Sequence, residues 1–314
     1  MRVTVLRLSA VLGSFLLIAA CPLSGAPGAR AQIDKRCFTN GAGTRCYYLH
    51  LPPGATAGMP LMVYLHGCDD PIDHPEPTGF SLTRVADEMG FVLAYPLQDP
   101  AANKELCWNW DKAGNQQRGE GEPSMIAGIS TALVDEFQLD RSRVYLGGYS
   151  AGGAMTTVLG ATYPDLYAAI APMAGAPYLA KPEGRVIIDA MGPRVRPMPT
   201  YFLQTLFDEI STIVIGRSNL VQWLAADNLA DPGSAPALPT DVQVLDVGQG
   251  LPNPLTVEHY ASPRGCELAQ FTTPLLAEHA IGAWLMQQDH GIELQRNLMR
   301  FLLAHRMPPP HQTC

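Results

Sequence analysis

The chain has 314 residues, of which 47% are hydrophobic and 16% are charged, and its net charge is −8 at neutral pH. An acidic protein repels the phosphate backbone of nucleic acids, so the composition argues against a nucleic-acid partner. No repeat or linker divides the chain, and its apolar content is enough for one large α/β core, so we expect residues 32–314 to form a single domain.

Residues 1–31 have the layout of a secretory signal peptide. Two arginines are followed by an almost unbroken apolar run from Leu8 to Ala20, which is short for a membrane span. Cleavage after Ala31 would release a secreted protein and, by removing three arginines, take the net charge from −8 to −11. The alternatives are a bacterial lipobox with a lipid anchor on Cys21, and a buried N-terminal helix. We find no other stretch long and apolar enough for a transmembrane span.

The mature chain would contain six cysteines, and an even number in an oxidising compartment predicts disulfide bonds. Spacing and elimination suggest three pairs: Cys37 with Cys46, Cys68 with Cys107, and Cys266 with Cys314. Free, unrelated thiols are the alternative. Because no cysteine or histidine cluster has the spacing of a zinc site, we expect neither a metal nor a cofactor.

Strands and helices alternate along the chain. The apolar patterns predict strands at Cys46–Leu51, Pro60–Leu65, Phe91–Tyr95, Val144–Leu146, Ala169–Met173, Thr200–Gln204, Leu255–Tyr260 and Leu268–Leu276. They predict helices at Leu82–Met89, from Pro123, from Ala154, at Asn219–Leu229 and at Ile292–His305, and loops at Pro96–Gly121, Lys181–Pro199 and Asp231–Thr240. This alternation predicts an α/β fold with a mostly parallel central sheet and helices on both faces.

Residues 148–152 read Gly-Tyr-Ser-Ala-Gly, a G-x-S-x-G motif between a predicted strand and a predicted helix. In such a motif the serine occupies a strained turn, and the flanking glycines let the backbone pack tightly. The turn would expose Ser150 Oγ above the sheet and direct the Ala151 N–H at a developing oxyanion. We therefore predict that Ser150 is the nucleophile of an α/β-hydrolase. A glycine-rich turn without chemistry is the alternative.

The second oxyanion donor is expected in the loop after an earlier strand, where His66, Gly67 and Cys68 follow one another. The backbone N–H of Cys68 or Gly67 would complete the hole, and a disulfide at Cys68 would hold the loop rigid. For the His66 side chain we expect hydrogen bonds to the loop backbone rather than acid–base catalysis.

The acid and the base of an α/β-hydrolase follow the serine in the order Ser, Asp, His. Asp208 comes just after a predicted strand and is the expected acid, with Glu209 and Asp227 as rivals. His279 follows the last predicted strand and is the expected base, with His290 as its competitor.

Five motifs occur in a characteristic order: H-G-C at 66–68, C-W-N-W at 107–110, R-G-E-G-E-P at 118–123, G-Y-S-A-G-G-A-M at 148–155 and A-T-Y-P-D at 161–165. Together they resemble the polyhydroxybutyrate depolymerase-type esterases, a family of α/β-hydrolases that includes acetylxylan and feruloyl esterases. The resemblance implies a secreted serine esterase that acts on an ester substrate through Ser150. It also implies that Trp108 and Trp110 line the substrate cleft, with core packing as the alternative for each. We expect Tyr149, beside the serine, to bind the substrate as well.

The second half departs from the family pattern. Where the family has H-G-x-x-D, residues 204–208 read Gln-Thr-Leu-Phe-Asp, and where it has G-H-A-W, residues 278–281 read Glu-His-Ala-Ile. No serine- or threonine-rich linker to a polymer-binding domain is found after the catalytic unit. The substrate therefore stays open between a short-chain hydroxyalkanoate oligomer or polymer and an acylated polysaccharide. A non-catalytic secreted or lipid-anchored binding protein on this fold, a peptidase and a lipase are the remaining alternatives.

Overall fold

The structure is a computed structural model that describes residues 32–69, 82–246, 254–274, 279 and 291–307. The signal segment, Cys21, His290 and Cys314 lie outside the described residues. The strands are β1 (Gln32–Asn40), β2 (Gly43–Leu51), β3 (Leu61–Leu65), β4 (Val92–Pro96), β5 (Val144–Tyr149), β6 (Ala169–Met173), β7 (Thr200–Leu203), β8 (Asp241–Asp246), β9 (Pro254–Ala261) and β10 (Glu267–Pro274). The helices are α1 (Thr83–Met89), α2 (Gly121–Glu136), α3 (Ala151–Thr162), α4 (Arg185–Met191), α5 (Ile213–Ala230) and α6 (Ile292–Ala304).

The ten strands form one sheet in the order β1-β2-β4-β3-β5-β6-β7-β10-β9-β8. The six central strands, from β4 to β10 in that order, run parallel to one another. The two strands at each edge pair antiparallel. The predicted mostly parallel sheet is confirmed, and its central strands are buried on both faces, as a parallel sheet requires.

Two hydrophobic layers enclose the sheet, because successive strand residues point to opposite faces. Val63 and Leu146 pack with helices α2 to α5 on one face. Met62 and Tyr145 pack with α1 and α6 on the other. The carboxyl ends of the parallel strands are thereby fixed in space, and the loops that follow them meet above one edge of the sheet.

Three elements were not predicted from the sequence, and three helices start earlier than expected, the first of them α2, which begins at Gly121 rather than at Pro123. The edge strands β1 and β8 carry charged or exposed side chains and lack the continuous apolar run of a buried strand; the alternating Val242 and Val244 of β8 are themselves exposed. Helix α4 lies in the segment that was expected to be a surface loop. Helix α3 begins at Ala151, directly after Ser150, although Gly152 and Gly153 have low helix propensity. Helix α5 begins at Ile213.

Two disulfides join the pairs that spacing suggested. Cys37 and Cys46 lie opposite each other in the β1–β2 hairpin, and Cys68 and Cys107 connect the loop after β3 to the loop after β4. Cys266 is also disulfide-bonded, whereas its expected partner lies outside the described residues. No helix in the described part of the chain is long and apolar enough to cross a membrane.

Candidate active site

Ser150 stands on a sharp turn between β5 and α3, with φ 55° and ψ −119°, a backbone conformation that side chains rarely adopt. Its N–H donates a hydrogen bond of 2.9 Å to the carbonyl of Met173. A Cβ atom on Gly148 would lie 2.5 Å from the Gly152 carbonyl, and one on Gly152 would lie 2.2 Å from the Leu65 carbonyl. The two motif glycines are therefore required by close backbone packing around the serine.

Three side chains from separate loops form a continuous line of hydrogen bonds. His279 Nε2 lies 3.0 Å from Ser150 Oγ, and His279 Nδ1 lies 2.7 Å from Asp208 Oδ2. The Asp208 side chain is fully buried, and its Oδ1 accepts the N–H groups of Ile210 and Ser211 at 2.9 and 2.7 Å. Because a carboxylate only accepts, Nδ1 carries the proton, and the lone pair on Nε2 faces the serine hydroxyl.

The rival acids lie elsewhere. Glu209 is exposed, and Asp227 is buried on α5, where its Oδ1 accepts the Met198 N–H at 2.8 Å. Burial raises the pKa of Asp227 to about 8, so at neutral pH this group favours its protonated form. Among the described residues, Asp208 and His279 are the candidates that the fold brings to Ser150. No group of three or more potential metal ligands occurs within that part of the chain.

Gln204 stands where the family pattern has a histidine, and it supports the acid loop. Its Nε2 donates to Asp208 Oδ2 at 3.3 Å and also to the carbonyl of Ser211. Although the chain departs from H-G-x-x-D, the buried amide of Gln204 therefore still donates a hydrogen bond to the Asp208 carboxylate.

Tyr149, which precedes the serine, is buried and hydrogen-bonded to the histidine loop. Its side chain is 6% exposed, and its hydroxyl donates a 2.6 Å hydrogen bond to the carbonyl of His279. The two rings lie 5.3 Å apart between centroids. Tyr149 thus holds the backbone of the histidine loop, and its role in substrate binding stays a prediction.

Trp108 is 1% exposed and belongs to the core that also contains α2, so it does not line a cleft. Its ring lies 5.4 Å from the His66 ring, and the Arg45 guanidinium lies 5.9 Å from its centroid. For Trp108 the burial favours core packing, which the sequence left open as the alternative. Trp110 is half-buried against the same core, and its role in binding stays a prediction.

The loop after β3 is held by His66, as expected. His66 Nδ1 lies 2.6 Å from the Gly67 carbonyl, and its Nε2 accepts the Gln98 N–H at 3.0 Å. Burial lowers the pKa of His66 to about 4, so the ring is neutral at pH 7. Cys68 is half-buried and bonded to Cys107. That this loop and the first turn of α3 supply the backbone N–H groups of an oxyanion hole stays a prediction.

Sequence reasoning missed a buried polar cluster beside this loop. Glu122 Oε1 accepts hydrogen bonds from Gln98 Nε2 at 2.6 Å, from Asn109 Nδ2 at 2.8 Å and from Arg45 Nη2 at 3.2 Å. Its Oε2 accepts the Asn109 N–H at 2.8 Å. Glu122 and Asn109 belong to two of the motifs that carried the resemblance, which was a usable signal. Gln98 lies in none of them.

Solved structures share this architecture. Acetyl xylan esterase from Aspergillus awamori superimposes with a TM-score of 0.61 at 18% identity, over 78% of this chain and 94% of that one. A thermostable esterase matches with a TM-score of 0.56 at 14% identity, over 87% of this chain and 63% of that one. At this identity the likeness shows the fold alone, and the expected α/β-hydrolase fold is confirmed.

Sequence comparisons find relatives that are esterases and depolymerases by name. Poly(3-hydroxyalkanoate) depolymerase C of Paucimonas lemoignei is 34% identical over 198 residues, 63% of this chain and 46% of that protein. Feruloyl esterase B of Neurospora crassa is 33% identical over 41% of this chain and 43% of its own length. Probable acetylxylan esterase A of Aspergillus fumigatus is 30% identical over 44% of this chain and 36% of its own length. The matched regions thus span less than half the length of these relatives.

The family match covers the candidate nucleophile and the candidate acid but ends before the candidate base. The model of the family described as esterase PHB depolymerase matches residues 45–211, slightly more than half of the chain. That segment contains Ser150 and Asp208, whereas His279 lies beyond it. The resemblance seen in the motifs is confirmed, and the chain belongs to the esterase PHB depolymerase family.

Proposed function

We propose that the protein is a serine carboxylic-ester hydrolase in which Ser150, His279 and Asp208 act together. The observation that carries the proposal is the line of hydrogen bonds from Ser150 Oγ through His279 to the buried carboxylate. Such a line is the arrangement that activates a hydroxyl nucleophile at neutral pH. Family membership supports the same chemistry.

In the first half-reaction, Ser150 Oγ attacks the carbonyl carbon of the ester while His279 Nε2 takes the hydroxyl proton. Asp208 holds the imidazole in the required tautomer and stabilises the imidazolium that forms. The tetrahedral intermediate collapses when His279 returns the proton to the departing alkoxide oxygen. The alcohol leaves, and the acyl group stays on the serine.

In the second half-reaction, His279 removes a proton from water, and the resulting nucleophile attacks the acyl-enzyme. Collapse of the second intermediate expels Ser150 Oγ, which recovers its proton from His279, and the acid is released. The negative oxygen of both intermediates would be stabilised by the N–H of Ala151 and the N–H of Cys68 or Gly67. The N–H groups in the first turn of α3 lack acceptors within the helix and lie at its positive end, which favours an anion there.

As substrate class we propose short-chain hydroxyalkanoate oligoesters. The depolymerase of Paucimonas lemoignei is the relative that aligns over 63% of this chain. Apolar side chains around the acid loop also support an ester with aliphatic groups on both sides: Leu206, Phe207, Ile210 and Val214 are 40 to 72% exposed. Acetylated or feruloylated polysaccharide is the second candidate, since relatives named for those activities align at 30 to 33% identity.

The test is steady-state hydrolysis by the chain from residue 32 onward. A trimer of 3-hydroxybutyrate, acetylated xylan and a feruloyl sugar ester would be compared, with Ser150→Ala as the matched inactive variant. We expect turnover of the trimer that disappears in the variant. Preferential turnover of a sugar ester would move the substrate to the second candidate. No turnover of any ester by a folded wild-type protein would contradict the proposal.

We also propose that the protein is exported, with residues 1–31 removed as a signal peptide. The two disulfides in the described residues support an oxidising compartment. Expression with the native leader in a bacterial host, followed by N-terminal sequencing and intact mass, tests this. A chain that starts at Gln32 is expected. A chain that starts at Cys21 with an added lipid mass would show the anchored alternative, and an unprocessed chain would contradict export.

A further inference from the structure

A path of buried hydrogen bonds connects helix α2 to the loop that follows β3. It begins at the Glu122 carboxylate, continues through the side chain and backbone of Gln98, and ends at His66 and the Gly67 carbonyl. The three polar residues along it are at most 4% exposed. None of them is hydrogen-bonded to Ser150, His279 or Asp208, so the catalytic steps above do not account for them.

At the end of the path, His66 sets the direction of one peptide group. A backbone N–H can only donate, so the Gln98 N–H requires a bare Nε2, and Nδ1 therefore carries the proton and donates to the Gly67 carbonyl. In a planar trans peptide the C=O and the N–H point in opposite directions. By holding the Gly67 carbonyl, His66 therefore also directs the Cys68 N–H, which is a proposed oxyanion donor.

Gln98 holds both sides of the disulfide that closes this loop. Its backbone N–H binds His66 on the Cys68 side, and its Nε2 donates to the Cys107 carbonyl at 2.8 Å on the other side. Its Oε1 accepts the Asp99 N–H at 2.9 Å. Because Nε2 faces two acceptors and Oε1 faces a donor, only one orientation of the amide satisfies all of these bonds.

Glu122 fixes that amide in turn. Its carboxylate accepts four hydrogen bonds, which come from Gln98, Asn109 and Arg45. Hydrogen bonds to a charged acceptor in a buried site are stronger than neutral ones and harder to replace. The carboxylate is thus the point to which the loops at residues 98 and 109 are both attached.

We propose that Gln98 and Glu122 are positioning residues that hold the Gly67–Cys68 peptide in the orientation required by the oxyanion hole. This inference rests on the proposed ester hydrolysis. It adds that the polar cluster acts on the transition state through backbone geometry and touches no substrate atom. Loss of the cluster should therefore lower kcat and leave KM nearly unchanged.

The measurement that isolates the hole is the ratio of kcat/KM for an aryl ester to that for its thionoester, in which sulfur replaces the carbonyl oxygen. A hole shaped for oxygen stabilises a negative sulfur poorly, so an intact hole gives a high ratio. Gln98→Met keeps the side-chain size and the backbone N–H but removes the amide. We expect kcat on the ester to fall about tenfold, which is less than the fall in kcat caused by removing an oxyanion donor completely. The ester-to-thionoester ratio should fall by a similar factor.

Glu122→Gln is the second variant, because it keeps the size but places an NH₂ group among donors. Ser130→Ala is the matched control. Ser130 lies on helix α2, as Glu122 does, but away from the loop after β3, and the substitution removes its buried hydrogen bond to the Tyr167 hydroxyl. We expect the control to lower Tm with an unchanged ester-to-thionoester ratio.

An unchanged ratio in folded Gln98→Met and Glu122→Gln would overturn the positioning role. So would a ratio that falls equally in Ser130→Ala, or the failure of both test variants to fold, since each would indicate a purely structural cluster. A wild type that hydrolyses no ester would instead contradict the proposed function, so the two failures are distinguishable.

Discussion

Gly152→Ala adds a single methyl group where the nucleophile turn touches the loop after β3. The new Cβ would lie 2.2 Å from the carbonyl oxygen of Leu65, the last residue of β3, and 2.4 Å from the carbonyl oxygen of His66, the first residue of the loop that follows. A normal carbon–oxygen contact requires a separation that is larger by about 1 Å, so the two segments must move apart by that amount. A shift of about 1 Å in catalytic geometry costs about 100-fold in rate.

We therefore expect Gly152→Ala to lower kcat about 100-fold and to lower Tm by several degrees through overpacking. Ester hydrolysis and thermal unfolding by circular dichroism measure the two effects. Gly41→Ala is the matched control, because nothing lies within 4 Å of its Cβ position and its φ is not positive. Wild-type activity in a folded Gly152→Ala protein would refute the argument that these glycines hold the nucleophile against the oxyanion loop.

Three further predictions concern the supports of the site. Tyr149→Phe removes the hydrogen bond to the His279 carbonyl, so kcat should fall up to about tenfold with KM unchanged, since one such bond contributes about 1 kcal/mol; a raised KM instead would restore a substrate-binding role. Replacing Cys68 and Cys107 with serine frees a loop with a sequence separation of 39. By chain entropy this should cost about 4 kcal/mol in urea unfolding and also lower kcat; unchanged stability would contradict it. The folded-state pKa of Asp227 is raised by burial to about 8, so between about pH 4 and 8 the folded state holds a proton that the unfolded state has lost, and the contribution of this group to stability falls as pH rises. Asp227→Asn should therefore gain stability relative to wild type from pH 5 to pH 8, and a constant difference would contradict the raised pKa.

The nucleophile turn and the central strands could be predicted because their signals are local. The steric requirement of a strand-to-helix turn is met within five residues around Ser150, and strands buried on both faces appear as short apolar runs. The edge strands β1 and β8 gave no such signal. Their pairing partners lie on one side only, and their outward side chains are charged or exposed.

The direction in which a side chain points could not be predicted from motifs alone. Trp108 and Tyr149 belong to recognisable motifs, but packing against His66 and hydrogen bonding to His279 decide where they lie. Gln98 had no signal at all, since its partners come from the separate loops at residues 66 and 107 and from helix α2. Such contacts exist only once the fold is complete.

Covalent labelling by a fluorophosphonate, with the modified residue mapped by mass spectrometry, tests the central claim most directly. The account predicts stoichiometric labelling of Ser150 in the wild type, none in Ser150→Ala, and strongly slowed labelling in His279→Ala, because His279 is the group that accepts the proton of the serine hydroxyl. Labelling that survives His279→Ala at the wild-type rate would assign the base to His290 or another group. No labelling of a well-folded wild-type protein would contradict the activated serine.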